Sequence, residues 1–249
     1  MSQGTHPIQL EHVSKRFGSF RVLDDISLDL PKGEATVVLG RSGTGKSVLL
    51  KHIVGLMSPD SGRVVVQGQE LTVLPAADVA LVRRQIGFLF QNAALFDSMS
   101  VGENVEFPIR RHTQLSDRSV RAQAREKLAL VGLEQDYDKL PGALSGGMRK
   151  RAGLARAMAL DPAILLVDEP SAGLDPITSE EIDDLLIRVK KELGTTQVVV
   201  THNIPSARRI GDTLVFLHKG RVLVRGTAAE LERSKHTIVE QFMSSEAGG

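Results

Sequence analysis

The chain has no cysteine among its 249 residues. That excludes disulfides, thiolate-ligated zinc, iron–sulfur clusters and a thiol nucleophile, and it fits a reducing compartment. A charge excess is missing too: 31 Lys and Arg stand against 30 Asp and Glu, a formal net charge of +1. Chains that bind nucleic acid usually carry a basic excess, so this balance speaks against nucleic acid as the main partner. No apolar run approaches the ~18 residues that a transmembrane helix needs, so a membrane role must come through a partner. The stretch from Met1 to Pro7 is polar and lacks the apolar core of a Sec-type signal peptide. What is present is ordinary: 41% hydrophobic residues and enough length for one large domain or two small ones.

Short apolar, β-branched runs recur at residues 35–39, 86–90, 164–167, 198–200 and 214–217. They predict buried strands. Helix-like stretches follow several of them. The clearest covers residues 180–193, with Ile182, Leu185, Leu186, Val189 and Leu193 expected on one face. Strands alternating with helices predict a parallel α/β core. Earlier in the chain, residues 8–13, 22–30 and 63–67 read as strands joined by turns, which predicts an antiparallel sheet beside that core. Between Asn92 and Leu140 strand signals vanish, and residues 119–131 place Val120, Ala124, Lys127 and Leu128 at helical spacing. This predicts an inserted helical segment. The tail from Ser244 to Gly249 is expected to fray. There is no internal repeat and no low-complexity segment.

Gly40-Arg41-Ser42-Gly43-Thr44-Gly45-Lys46-Ser47 fits the phosphate-binding P-loop pattern between a predicted strand and an apolar helix. Glycines let backbone N–H groups turn toward phosphate oxygens, and the following helix adds its positive end. Lys46 would reach the β- and γ-phosphates, and the Ser47 hydroxyl would ligate Mg²⁺. Residues 164–169 form an apolar run ending in Asp168 and Glu169. There Asp168 is placed to hold Mg²⁺, and Glu169 is the candidate general base for an attacking water. A solvated strand end is the competing explanation. Leu144-Ser145-Gly146-Gly147-Met148 is a second glycine-rich turn entering a helix that runs to about Leu160. Its amides suit a γ-phosphate, although Ser145 alone would also serve as an ordinary helix cap.

In order along the chain, these motifs resemble those of the nucleotide-binding subunit of ABC transporters over nearly the whole length. Walker A is Gly40 to Ser47, the Q-loop residue is Gln91, and the signature is Leu144 to Met148. Walker B ends at Asp168 and Glu169, the D-loop holds Asp175, and the switch histidine is His202. The resemblance implies an α/β P-loop NTPase core of ABC ATPase type with an antiparallel β subdomain and an inserted α-helical subdomain. Residues 1–91 and 161–249 would form the core and β subdomain, and 92–160 the helical subdomain, in a single domain of 1–249. It also implies ATP and Mg²⁺ as cofactors and a head-to-tail homodimer. Each ATP would lie between Walker A of one copy and Ser145, Gly146 and Gly147 of the other. Gln91 would meet Mg²⁺, His202 the γ-phosphate, Asp175 the opposing Walker A, and Phe17 the adenine, with a core role for Phe17 as the alternative. Arg41 and Thr44 would contribute mainly backbone. Two departures stand out: Met148 where many relatives have Gln, and Asn203 in place of a frequent Asp beside His202.

Finer similarity points toward the ATPases of Mce/Mla-type lipid transport systems. It is carried by residues 94–99, 107–113, 147–151 and 175–178. The implied partners are a membrane permease, a periplasmic Mce-domain protein and in some systems a STAS-domain subunit. The implied location is the cytoplasmic face of the inner membrane, through the permease. Residues 91–105 resemble the surface that receives a permease coupling helix, with Leu95, Phe96 and Met99 exposed and Val101 and Val105 packed inside. An importer or exporter ATPase for another solute, such as an organic solvent or amino acid, would use the same motor. A soluble ABC protein acting on DNA or ribosomes is disfavoured by the single motif set and the absence of a heptad run between Gln91 and Leu144.

Overall fold

A computed structural model describes residues 6–244. The strands β1 (Ile8–Phe17), β2 (Phe20–Leu30) and β3 (Ala35–Leu39) come first, then α1 (Lys46–Ile53), β4 (Ser61–Val66), β5 (Gln69–Glu70) and α2 (Ala76–Arg83). Next, β6 (Ile86–Leu89) leads into α3 (Val101–His112), α4 (Asp117–Leu130) and α5 (Gly146–Ala157), followed by β7 (Ile164–Asp168) and α6 (Pro176–Leu193). The remaining elements are β8 (Thr196–Thr201), α7 (Ile204–Ile210), β9 (Thr213–His218), β10 (Arg221–Gly226), α8 (Ala228–Glu232) and α9 (Thr237–Ser244). Two compact units result, one built from the segments up to Arg83 and from Thr195, the other from Arg84–Gly194.

In the first unit an antiparallel sheet has the order β2-β1-β4-β5. Strand β2 alternates buried Ile26, Leu28 and Leu30 with exposed Ser27 and Asp29, the pattern of a sheet with one wet face. Strand β3 is buried at all five positions and lies between β8 and β9, parallel to both. Its unbroken apolar run is what a doubly covered parallel strand requires. Strand β10 runs antiparallel on β9 and was not foreseen; its apolar run is only Val222, Leu223 and Val224, half-buried between the exposed Arg221 and Arg225.

In the second unit β6 and β7 are parallel, from Ile86↔Ile164 to Leu89↔Val167. Helix α5 lies hard against β6: a Cβ on Gly87 would sit 2.4 Å from the Ala157 carbonyl oxygen. Helix α3 opens with a capping box between Ser100 and Glu103, and Ser116 caps α4. The apolar positions expected along α4 are buried, and Lys127 is buried with them at 3% exposure, its ammonium 2.7 Å from Asp161. Helix α6 starts four residues before its expected first residue. Asp175 caps it, and Pro176 takes the first helical position, where the missing N–H costs nothing. Ile182, Leu185, Leu186 and Val189 are buried as expected, but Leu193 is 39% exposed because the helix ends there at left-handed Gly194. Ser244 closes α9, and residues 245–249 of the tail expected to fray lie outside the described residues. Among the described residues no helix is long and apolar enough to cross a membrane.

Candidate functional site

Strand β3 delivers its C-terminal end to the segment 40–45, and α1 begins at Lys46. Two of the loop glycines are dictated by space. A Cβ on Gly40 would lie 2.4 Å from the Leu217 carbonyl oxygen, and one on Gly45 would lie 2.8 Å from that of Val22, at a backbone φ of 105°. Gly45 is also the N-cap of α1, and no side chain caps that helix. By contrast α3 to α8 are capped by Ser100, Ser116, Ser145, Asp175, Asn203 and Thr227. The N-cap of α1 thus places no side chain over the positive end of the helix, a fit for a phosphate. Lys46 is 6% exposed, and its ammonium donates to the carbonyls of Gly40 at 2.7 Å and Arg41 at 3.3 Å. Thr44 Oγ1 donates to the Arg41 carbonyl at 2.9 Å, while Arg41, Ser42 and Gly43 are exposed and Ser47 is half-buried.

The same unit carries His202. The register Leu39↔Thr201 makes Gly40 and His202 leave the sheet at one edge. His202 is exposed. Asn203 caps α7 by accepting from the Ser206 N–H at 2.8 Å, so its departure from Asp keeps a capping oxygen. Phe17 and Phe20 pair across the tip of the β1–β2 hairpin. Phe17 is 48% exposed, which rules out the core alternative.

In the second unit the register Leu89↔Val167 brings Gln91 and Glu169 out at the ends of neighbouring strands. Asp168 and Glu169 are each 8% exposed, and Gln91 is exposed. Glu169 has a left-handed backbone, φ 46°, which a non-glycine residue adopts only at a cost. Its carbonyl accepts from the Ala172 N–H at 3.2 Å and from the buried Lys150 ammonium at 3.1 Å. Lys150 also donates to the Gln91 carbonyl. Burial pushes the Lys150 pKa down, against the pull of the Asp168 and Glu169 carboxylates. Arg156 donates to the Ala93 and Ala94 carbonyls at 2.9 and 2.7 Å. The sequence reading missed both cations, because Lys150 sits in the charged run Arg149-Lys150-Arg151, which looks like a solvated face.

Ser145 accepts from the Met148 N–H at 3.2 Å, so it is a helix cap, and it remains exposed. Gly147 faces Thr178 so closely that a Cβ would lie 2.5 Å from its methyl group. Asp175 accepts from the Thr178 N–H at 3.0 Å and hydroxyl at 2.6 Å, and these bonds hold its carboxyl below the usual range. On the helical segment, Val101 and Val105 are fully buried as expected. Phe96 is 44% exposed, and Leu95 and Met99 are half-buried. A groove of about 1000 Å³ opens beside them, lined by Met99, Glu106, Phe107, Arg110, Arg125 and Tyr137. At its wall the Tyr137 hydroxyl donates to Glu106, and Arg110 pairs with Glu106 at 2.7 Å.

Residues 23–172 match the family described as ABC transporter. The chain is 42% identical over 237 residues to the probable ribonucleotide transport ATP-binding protein mkl of Mycobacterium leprae, covering 95% of this chain and 68% of that protein. It is 37% identical over 242 residues to the intermembrane phospholipid transport system ATP-binding protein MlaF of Escherichia coli K12, covering 97% and 90%. Against the mycobacterial proteins it spans about two thirds of their length, 68% and 66% for those of M. leprae and M. tuberculosis. The fold superposes on the dimeric ATP-binding cassette MJ0796 bound to ADP and Pi with a TM-score of 0.82 at 34% identity, covering 88% of this chain and 98% of that one. With a P-loop at the end of β3, paired carboxylates at the end of β7 and these likenesses along its length, the chain belongs to the ABC transporter family of ATP-binding subunits.

Proposed function

We propose that the chain hydrolyses ATP to drive phospholipid transport between membranes, as the motor of a permease complex. The observation that carries the ATPase reading is the glycine loop closing on α1, where Gly40 and Gly45 leave no room for a Cβ, with the buried Lys46 ammonium on the Gly40 carbonyl. In this reading the amides of residues 40–47 and the Lys46 ammonium hold the phosphates, and Phe17 stacks on the adenine. Mg²⁺ would be held by the Ser47 hydroxyl, Asp168 and the Gln91 amide, the sparse oxygen set that suits an ion retaining its waters and phosphate ligands. Its chemistry is to neutralise charge on the phosphates. Glu169 accepts a proton from the attacking water, and His202 steadies the γ-phosphate. Ser145, Gly146 and Gly147 of a second copy close over the ATP, and Asp175 reaches the opposing P-loop. Residues 1–91 and 161–249 serve as the nucleotide-binding core and 92–160 as the permease-facing subdomain.

Similarity to MlaF supports phospholipid as cargo. In this reading the further partners are a periplasmic Mce-domain protein and, in some systems, a STAS-domain subunit, and the chain sits at the cytoplasmic face of the inner membrane. A second reading, transport of a ribonucleotide or other solute, is favoured by the higher identity to mkl. Purification of the native membrane complex separates them. Mass spectrometry should find phospholipid and an Mce-domain protein; a solute-binding protein with no lipid would favour the second reading. Lys46→Ala should abolish ATP binding, and normal hydrolysis by it would refute the P-loop assignment.

A further inference from the structure

Lys150 is the least expected charge in the second unit. It lies in the second turn of α5, five residues after the Ser145 cap, yet it is 5% exposed. A buried ammonium is costly unless its donors are satisfied, and a methionine of similar length would pack there without that cost. The ammonium meets two backbone carbonyls, those of Gln91 and Glu169. These are equivalent positions: each lies two residues beyond the last paired residue of its strand, Leu89 and Val167. One side chain thus clamps together the points at which two neighbouring strands release the chain.

The two ends of the clamp differ in character. Glu169 is held in the left-handed region at φ 46°, where an L-residue costs about 1–2 kcal/mol. The Lys150 and Ala172 bonds to its carbonyl fix the peptide plane that aims its side chain. Gln91 is exposed at the start of a segment in which Ala93 and Ala94 are also left-handed and are gripped by Arg156 of the same helix. The helix also packs against this segment without a gap. A Cβ on Gly153 would lie 2.9 Å from that of Ala93, so α5 rests directly on the segment. A cavity of about 270 Å³ beside Lys150, lined by Gln91, Asn92, Gly146, Ala172 and Leu174, leaves the clamped loops room to shift.

We propose that Lys150 is a positioning residue for hydrolysis: by holding the Gln91 and Glu169 carbonyls on one ammonium, it sets the aim of the Glu169 carboxylate and makes it follow movements of the Gln91 loop. The proposal rests on the reading of Glu169 as the general base. Lys150 itself touches no reacting atom.

The test uses the full-length chain purified with its co-purifying partners, comparing Lys150→Met, Lys150→Gln and Lys150→Arg. Misplacing a catalytic group by about 1 Å costs about 100-fold, so Lys150→Met should lower kcat by about 10- to 100-fold. KM for ATP and the melting temperature should change little. Lys150→Arg, which keeps a cation and its donors, should recover most of the rate. If Lys150→Met does not fold, Lys150→Gln carries the test with the same expected loss in kcat alone. In a Glu169→Gln background Lys150→Met should cost nothing further, because its effect runs through Glu169. A native kcat in Lys150→Met, a loss confined to KM, or an equal further loss in the Glu169→Gln background would each overturn the proposal. A native rate in Glu169→Gln alone would instead sink the base assignment.

Discussion

Glu169→Gln changes one atom type at a site whose backbone is held independently of that side chain. The carbonyl of residue 169 keeps its bonds from Lys150 and Ala172, so the left-handed turn survives the substitution. What is lost is proton acceptance from the attacking water. A positioned general base contributes about 10²–10⁴-fold, which at ~1.4 kcal/mol per decade raises the barrier by about 3–5.5 kcal/mol. We expect kcat to fall by about that factor with ATP affinity retained, measured by phosphate release and by equilibrium binding of ATP. Glu169→Gly separates chemistry from folding. It removes the carboxylate but also relieves the φ 46° strain, so hydrolysis should fall equally while stability stays within about 1 kcal/mol of native. A Gln variant that hydrolyses ATP within about threefold of the native rate would refute the base assignment. A Gln variant that melts far below the native protein would show that the carboxylate is structural.

The helical segment and helix α1 give two further tests. Tyr137→Phe deletes a buried hydroxyl that donates to Glu106, leaving a carboxylate 5% exposed with one donor fewer, and should cost about 1–3 kcal/mol in urea unfolding. An unchanged midpoint would contradict that hydrogen bond. His52 is buried, with Nδ1 2.7 Å from the Val48 carbonyl, and burial pushes its pKa below the ordinary value of about 6.5. The unfolded chain therefore binds this proton more readily, so the contribution of His52 is full above about pH 6.5 and is lost as pH falls toward the depressed folded value. Melting temperature should fall between pH 7 and pH 5, and His52→Leu should flatten that fall; an identical slope in the variant would exclude His52 as its source.

Much of the site was legible because glycine and charge mark it locally. Gly40 and Gly45 stand where backbone carbonyls of Leu217 and Val22 leave no room for a Cβ, so the loop pattern is written as a fixed spacing. The buried strands β3, β7 and β8 were equally readable, as unbroken apolar runs. Helix α3 was not resolved from the sequence. Pro108 interrupts its pattern, yet the Ser100–Glu103 box and the buried Val101, Val105 and Ile109 hold it through the proline. Lys150 was illegible for a different reason. A lysine is buried only when distant groups satisfy it, here the carbonyls of residues 91 and 169, and no local pattern announces such partners. Lys127 was placed on the buried face of α4 by its spacing, and only its partner Asp161 was not announced.

The central claim is that each ATP is shared between the P-loop of one copy and Ser145 to Gly147 of another. Because the chain has no native cysteine, two introduced thiols would be the only ones present. Arg41→Cys and Ser145→Cys, both exposed positions, are placed in separately tagged copies carrying Glu169→Gln, then mixed and treated with a short bifunctional thiol reagent. The account predicts a covalent link between the two tagged copies that forms with ATP and Mg²⁺ and is lost without them. Links joining like copies with equal yield, or a yield indifferent to ATP in protein that binds ATP, would contradict it.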